Sequence, residues 1–565
     1  MTATRLQRDL DALAGRRFDL VVIGGGIFGA CAAWDAALRG LEVALLEARD
    51  FGGQTSAHSF KMVHGGIRYL QHGDFVRVRE SCRERSAFLR IAPHLVQPLP
   101  ILVPTYGHGR NGKALLRAGM LAYDLLTLDR NRGIADPERR IPPGRSVSRA
   151  EVLAAYPDLP RNGLTGGAVF ADGQMYNPPR IVVSVLRAAA ARGVVMGNHL
   201  EVVGLRTDGR RVTGVEVEDR LGGARFPVAA EAVLNATGPF AETLLRRWLG
   251  RPLARPSTYS RDACFVVRRR FAAPYALAVM GRSRDADAML AREARHLFIV
   301  PWREFSLIGV WHKVHEDDPG RVGLERRELE DYLEEINDAY PGLGLELADI
   351  RLWHAGLLPF GEERSGGSEL SYGKRSLLVD HAEEHGLEGL VTLIGIRYTM
   401  GRGDAAKAVD LVTRKLGSRA PRPPTDRLPV FGGRFGRFAE LVRDLERNPR
   451  VSLDTATARA LAHNYGSEAP RVLGYAVADP SLATPLPGST VLGAEIVHGI
   501  REEMAQNLAD LVFRRTDLAT GGDPGPALDA AAEIAAREFG WSAARRRREI
   551  EEVRARFPRH ARQVA

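Results

Sequence analysis

The 565-residue sequence predicts an α/β fold class followed by an all-α C-terminal domain, and three observations carry that prediction. A glycine fingerprint at residues 24–29 lies between an apolar strand and an Ala-rich helix. Two later apolar strands, ending near 235 and 394, also run into glycine turns. After a Pro- and Gly-rich stretch at 418–433 the composition shifts to Ala, Arg and Glu.

The segment "FDLVVIGGGIFGACAAWDAALRGLEVALLEARD" reads as a buried strand (20–23), a tight turn, a helix closing near Gly40 and a second strand (43–46). Gly24, Gly26 and Gly29 fit G-x-G-x-x-G, with Ile27 and Phe28 in the variable places and Glu47 about 20 residues further on. Gly24 makes the turn, Gly26 lets a diphosphate approach the backbone, and Gly29 lets helix and strand pack closely. The helix N-terminus supplies partial positive charge, and Glu47 accepts from ribose hydroxyls. This is a Rossmann-type dinucleotide site, a unit that NAD and FAD share.

Two distant segments select FAD. Residues 198–238 hold two strands and a third that stops in Ala236-Thr237-Gly238, where bare backbone can approach a ligand. In "VTLIGIRYTMGRGDAAKAVDLVTRK" a strand ends at Gly395, a loop carries Arg397, Tyr398 and Thr399, and a helix is expected from about Asp404. A helix N-terminus aimed at a flavin ring stabilises negative charge on its reduced form.

Between these units lies "SFKMVHGGIRYLQHGDF", which crowds Lys61, His64, Gly65, Gly66, Arg68 and Tyr69 together. The glycine pair allows close backbone approach, and Arg68 with Tyr69 offers a charged fork and a hydroxyl.

The net charge of +10 and pI near 9.7 suit anionic substrates or anionic lipid. No zinc-finger spacing or recognisable nucleic-acid module is present, which argues against nucleic acid. The 3 cysteines, Cys31, Cys82 and Cys264, are too scattered for a disulfide scaffold or thiolate metal site, so a reducing compartment, the cytoplasm, and no metal are expected. No secretory signal and no run of ~18 apolar residues are found, so any membrane contact is expected to be peripheral.

Taken together, "VIGGGIFGA", "HGGIRYL", "NATGP", "PWREFSLIG", "LAHNYGSEAPRVLGYA" and "GIREEMAQNLADLVFRRTDLA" resemble the FAD-dependent glycerol-3-phosphate dehydrogenases from about residue 16 to 555. The resemblance implies a glycine-oxidase-like architecture. The FAD-binding domain would be 16–90, 165–250 and 370–417, and an interleaved antiparallel-sheet substrate domain 91–164 and 251–369. A linker at 418–433 and a helical domain at 434–565 complete the chain. It implies oxidation of a secondary alcohol, with electrons passed to quinone from a peripheral position on the inner face of the membrane. By resemblance, Gly24, Gly26, Gly29 and Glu47 hold the adenosine diphosphate. Thr55, Ser56, Ser59, Lys61, His64, Gly65 and Gly66 line the flavin with Ala236, Thr237, Gly238, Gly395, Arg397, Tyr398 and Thr399. Arg68 and Tyr69 face the substrate with Arg397 and Thr399, and Lys374 and Arg375 add charge.

The sequence departs from the family on the substrate side. Leu358 in "AGLLPF" stands where an arginine clamps phosphate, Cys264 replaces a histidine, Val310-Trp311-His312 replaces Thr-Thr-Asp, and Arg397 stands for lysine. A small, anionic substrate is expected, a phosphorylated polyol first, with an oxidase of an amine or non-phosphorylated alcohol as the alternative. The base remains open among His64, His312 and His354, and Cys264 reads as a small packed side chain.

In the tail, Ile496, Ile500, Met504, Leu508 and Val512 form one apolar stripe at helical spacing, flanked by Glu502-Glu503 and Arg514-Arg515. A face packed in a bundle is expected, with a membrane or homodimer contact as the alternative. The run Arg545 to Arg548 reads as a solvated helix face.

Overall fold

The computed structural model describes residues 5–558 except 68, 70–72, 108–112, 251–256, 270, 283–295 and 361–374. Arg68 and Lys374, both expected at the substrate, lie outside the described residues.

The first half of the chain runs α1 (Leu10–Gly15), β1 (Arg17–Ile23), α2 (Ile27–Leu38), β2 (Val43–Leu46), β3 (Met62–Val63), α3 (Phe75–Ile91), β4 (Val96–Tyr106), α4 (Lys113–Leu126), β5 (Arg145–Ser148), α5 (Arg149–Ala155), β6 (Leu164–Met175) and α6 (Pro178–Ala190). Then follow β7 (Val195–Gly197), β8 (Leu200–Asp208), β9 (Arg211–Asp219), β10 (Arg225–Asn235), α7 (Ala241–Leu249), β11 (Thr258–Arg268), β12 (Ala276–Met280), β13 (His296–Trp302) and β14 (Phe305–His315). After α8 (Arg326–Ala339) come β15 (Leu352–Phe360), β16 (Leu377–Asp380), α9 (His381–His385), β17 (Leu390–Ile394) and α10 (Gly401–Lys415). Seven further helical segments, α11 (Phe438–Glu446) to α17 (Ala543–Ala555), form the C-terminal part.

The first sheet has the order β16-β17-β10-β1-β2-β7, with β1 parallel to β2 and β10, and β10 parallel to β17. Leu20 and Val22 face the core shared with α2, α6 and α10, whereas Val21 and Ile23 face the core on the other side. Burial on both faces explains the unbroken apolar run. The register sets Ile23 beside Leu46 and Asn235, and Asn235 beside Thr392. The carboxyl ends of four strands therefore share one edge, and the turns after them converge there.

The second sheet has the order β15-β11-β14-β13-β12-β4-β6-β3. One face packs Phe265 and Trp311 against α8 through Leu333 and Ile336. The opposite face turns toward the strand ends of the first sheet.

One boundary differs from the sequence reading. β6, expected within the FAD-binding domain from 165, pairs with β4 from Leu164 to Met175 in the second sheet, and β3 joins β6 there. The alternation of β6 suits either sheet, and its partner is fixed only by long-range pairing.

The tail stripe is also broken. α14 (Gly493–Glu503) ends at Met504, whose φ of 59° is left-handed, and helix resumes at Leu508 after Asn507, whose side chain accepts from the Asp510 amide. Ile496, Met504, Leu508 and Val512 are buried inside the chain, so the stripe is an internal core and not a membrane face.

Its charged flanks are equally buried. Glu503 pairs with Arg180 of α6, while Asp50 pairs with Arg514 and accepts from Arg515 through both carboxylate oxygens at 2.8 Å. Asp50, His199 and Asp510 converge, but Arg514 and Arg515 neutralise the cluster. These pairs join the helical part to the nucleotide-binding sheet, and removing one partner of such a pair costs ~3–5 kcal/mol.

Candidate active site

A cavity of about 2160 Å³ lies between the carboxyl edge of the first sheet and the open face of the second. Its adenosine end is built by the β1–α2 turn. Gly24 has φ of 101°, and a Cβ there would stand 2.7 Å from the Ala236 carbonyl oxygen. A Cβ on Gly29 would stand 1.9 Å from the Gly24 carbonyl oxygen, so the close packing of helix on strand requires glycine. Glu47 accepts from the Gly25 amide at 2.7 Å and the Arg49 amide at 2.9 Å. Burial raises its carboxyl pKa, and each oxygen keeps acceptor capacity for ribose hydroxyls. Ser56 Oγ accepts from the Ile27 amide at 3.1 Å, at the helix N-terminus.

The flavin end is built by the β10 and β17 turns. Ala236, Thr237 and Gly238 line the cavity beside Gly395, Arg397, Tyr398 and Thr399. Phe28 packs on Gly395 so tightly that a Cβ there would overlap its ring at 1.9 Å. α10 begins at Gly401, earlier than the Asp404 expected, and has no side-chain cap on its first turn. Ser59 Oγ is buried at the cavity wall without a protein partner, a group that a flavin can satisfy. The bare turns, the uncapped helix start and this orphaned hydroxyl fit a flavin dinucleotide.

Several expected contacts take other roles. Tyr398 turns its hydroxyl away to donate to the Pro178 carbonyl at 2.9 Å. Thr399 is fully buried, and its Oγ1 accepts from the His64 amide at 3.1 Å, tying the two turns together. Gly65 does not line the cavity: a Cβ there would stand 2.2 Å from Tyr123 Oη and 2.3 Å from Arg85 Nη1. Its amide donates to Asp172 at 2.5 Å, and Asp172 pairs with buried Arg85 at 2.7 Å. The glycine makes room for this ion pair.

Lys61 also departs from expectation. Its left-handed φ of 58° sends the side chain to a second cavity of about 700 Å³, where Nζ donates to the Ala57 carbonyl at 2.5 Å. Burial lowers its pKa to about 8. His354 sits there too, with Nδ1 3.4 Å from that of His58 and a pKa pushed well down by burial, so it is a neutral interior histidine. Thr55, in both cavity walls, donates to the Leu357 carbonyl at 3.4 Å.

On the substrate side Arg397 Nη1 donates to Tyr69 Oη at 2.9 Å and to Ser81 Oγ at 3.0 Å. Arg77 stacks on the same ring, 4.8 Å from its centroid, against 5.0 Å for Arg397. Arg375 lines this part of the cavity with His64. Apolar side chains also line the cavity: Phe60, Met62, Ile101, Phe170, Phe298 and Leu358. Cys264 lies in its wall, buried, its thiol pushed up to about 12 by burial.

His312 lines the same cavity, and its Nδ1 lies 2.7 Å from Asp262 Oδ1. The sequence reading named His312 but neither Asp262 nor Arg77. Asp262 sits two residues before Cys264 on one strand, so strict alternation would have put them on one face.

The profile of the family described as "FAD dependent oxidoreductase" matches residues 19–396, and that of the "C-terminal domain of alpha-glycerophosphate oxidase" matches 423–546. The chain is 34% identical to "Glycerol-3-phosphate dehydrogenase 2" of Mycobacterium bovis, covering 96% of this chain and 88% of that one. It belongs to the FAD-dependent glycerol-3-phosphate dehydrogenase family. A Synechocystis sp. family member is 31% identical over 91% of each chain. The glycerol-3-phosphate dehydrogenase of Bacillus halodurans, solved with FAD, has the same fold, with a TM-score of 0.75 at 23% identity over 97% of this chain and 95% of that one. As a family member the protein is an FAD-dependent oxidoreductase. No described helix is long and apolar enough to cross a membrane.

Proposed function

We propose that this protein oxidises the secondary alcohol of a small phosphorylated polyol, with glycerol 3-phosphate, named for its relatives, as the first candidate. The observation that carries this is the Arg397 guanidinium beside Tyr69 at the cavity wall, with Arg77, itself paired with Asp74, over the same ring. Cations beside an otherwise apolar wall favour a ligand with one anionic end and a short carbon chain. Bound FAD supplies the hydride acceptor. Arg397 and Tyr69 hold the anionic end, the apolar wall excludes water, and a histidine of the cavity receives the hydroxyl proton.

Electrons then pass to quinone from a peripheral membrane position. Support comes from Leu121, Leu125 and Leu128, which are 57%, 69% and 77% exposed along and just beyond α4, and from Phe75 and Val76, also exposed, at the start of α3. Such an apolar row on the outside of a helix suits insertion into a lipid surface.

Leu358 favours a second reading, an oxidase of an amine or non-phosphorylated alcohol, because this wall position offers no charge. Anaerobic mixing of the holoenzyme with glycerol 3-phosphate, glycerol and small amines separates the two: bleaching by the phosphate ester alone supports the first. Reoxidation of the reduced enzyme by a soluble quinone faster than by oxygen supports the acceptor, and the reverse order counts against it.

A further inference from the structure

We infer that Asp262 and His312 form the proton-accepting pair of this active site, with His312 as the catalytic base and Asp262 as its positioning residue; the inference rests on the alcohol oxidation proposed above. The two residues stand directly opposite each other on β11 and β14. Both line the cavity, with side chains 17% and 12% exposed, respectively. Ser260 Oγ donates to the same Asp262 oxygen at 2.7 Å, fixing the carboxylate from its own strand.

The chemistry follows from which nitrogen faces the carboxylate. An ionised Asp262 only accepts, so the Nδ1 of His312 carries the proton and Nε2 keeps the basic lone pair. When the substrate O–H bond breaks, its proton goes to Nε2 and its electron pair forms the carbonyl. The carbinol C–H bond breaks with it, and bound FAD would supply the acceptor for that hydrogen and its two electrons. The imidazolium that results is stabilised by a charge-assisted hydrogen bond to Asp262.

The cations beside the pair are engaged elsewhere. Arg261 and Lys313, next to the pair on the same strands, bind Glu328 of α8. On β15 the residue opposite Asp262 is Gly356, while β13 contributes His296 to the cavity. His64, the other cavity histidine named from the sequence, stands edge-on to Tyr69 at 6.2 Å, the ring that Arg77 and Arg397 flank.

The test is stopped-flow reduction of the FAD-loaded enzyme by glycerol 3-phosphate and other polyol phosphates across pH, in wild type, His312→Gln and Asp262→Asn. The expected result is a loss of at least ~100-fold in reduction rate for His312→Gln with substrate affinity within about threefold of wild type. Asp262→Asn, whose amide can donate to Nδ1 and invert the tautomer, loses ~10-fold or more and moves the pH profile. Wild-type rates and pH profiles in either properly FAD-loaded variant overturn the pair. If His312→Gln fails to load FAD, Asp262→Asn alone decides. A wild-type flavin that no polyol phosphate reduces overturns the functional reading itself, and the pair with it.

Discussion

Arg397 and Tyr69 are 328 positions apart in sequence, yet the guanidinium donates to the phenol oxygen at 2.9 Å and lies over the same ring at 5.0 Å. The contact joins the β17–α10 turn to the His-Gly-Gly loop and sets a guanidinium and a phenol hydroxyl side by side at the cavity wall. Tyr69→Phe removes one neutral partner and is expected to raise KM a few-fold with little change in FAD content. Arg397→Met removes a charged hydrogen-bond donor, worth ~1.5–3 kcal/mol, and is expected to lower kcat/KM by ~10- to 150-fold for a phosphorylated substrate. Steady-state kinetics with a phosphorylated and a neutral polyol check both, since only the former should respond strongly.

Leu358 on β15 lies half-buried in the cavity wall. Leu358→Arg adds a cation there and is expected to tighten binding of a phosphorylated substrate about tenfold. Flavin spectral titration measures the dissociation constant, and weaker phosphate binding in the variant would show that the anion lies elsewhere.

Gly65 is confined by Arg85 and Tyr123, which a Cβ would meet at 2.3 and 2.2 Å. Gly65→Ala is expected to destabilise the protein by about 2–3 kcal/mol, because the atoms it displaces belong to a buried ion pair. A lowered thermal midpoint in the presence of FAD checks this.

Glu495 of α14 is buried, accepts from the Leu492 amide at 2.8 Å, and has its pKa raised by burial from 4.5 to about 8. Below pH ~4.5 both folded and unfolded chains hold this proton. As pH rises toward 8 the unfolded chain alone ionises, so stability is lost across that window and the loss levels off above it. Glu495→Gln is expected to remove this slope, a few kcal/mol in all, and denaturant melts at pH 5 and pH 8 compare the two proteins.

The exposed leucines of α4 predict binding to lipid. Leu125→Asp combined with Leu128→Asp is expected to reduce co-sedimentation with anionic vesicles several-fold while leaving flavin reduction unchanged. Equal co-sedimentation of variant and wild type would remove α4 from the membrane contact.

The amino-acid sequence by itself determined the nucleotide-binding turn, the FAD cofactor and the helical tail. These depend on local rules: Gly24 must take a positive φ, Gly29 must let a helix touch a strand, and an apolar run must be buried. Tertiary structure decided the partnerships. Asp262 meets His312 because two strands pair in one register across 50 positions. Lys61 leaves the flavin cavity because one left-handed residue turns its side chain aside. Glu503 becomes a buried partner of Arg180 when α14 docks on α6. Pattern and composition act over a few residues, whereas register, backbone handedness in context and domain docking are set by contacts between residues far apart in the chain. That is why the chemistry was legible early and the arrangement of the substrate wall was not.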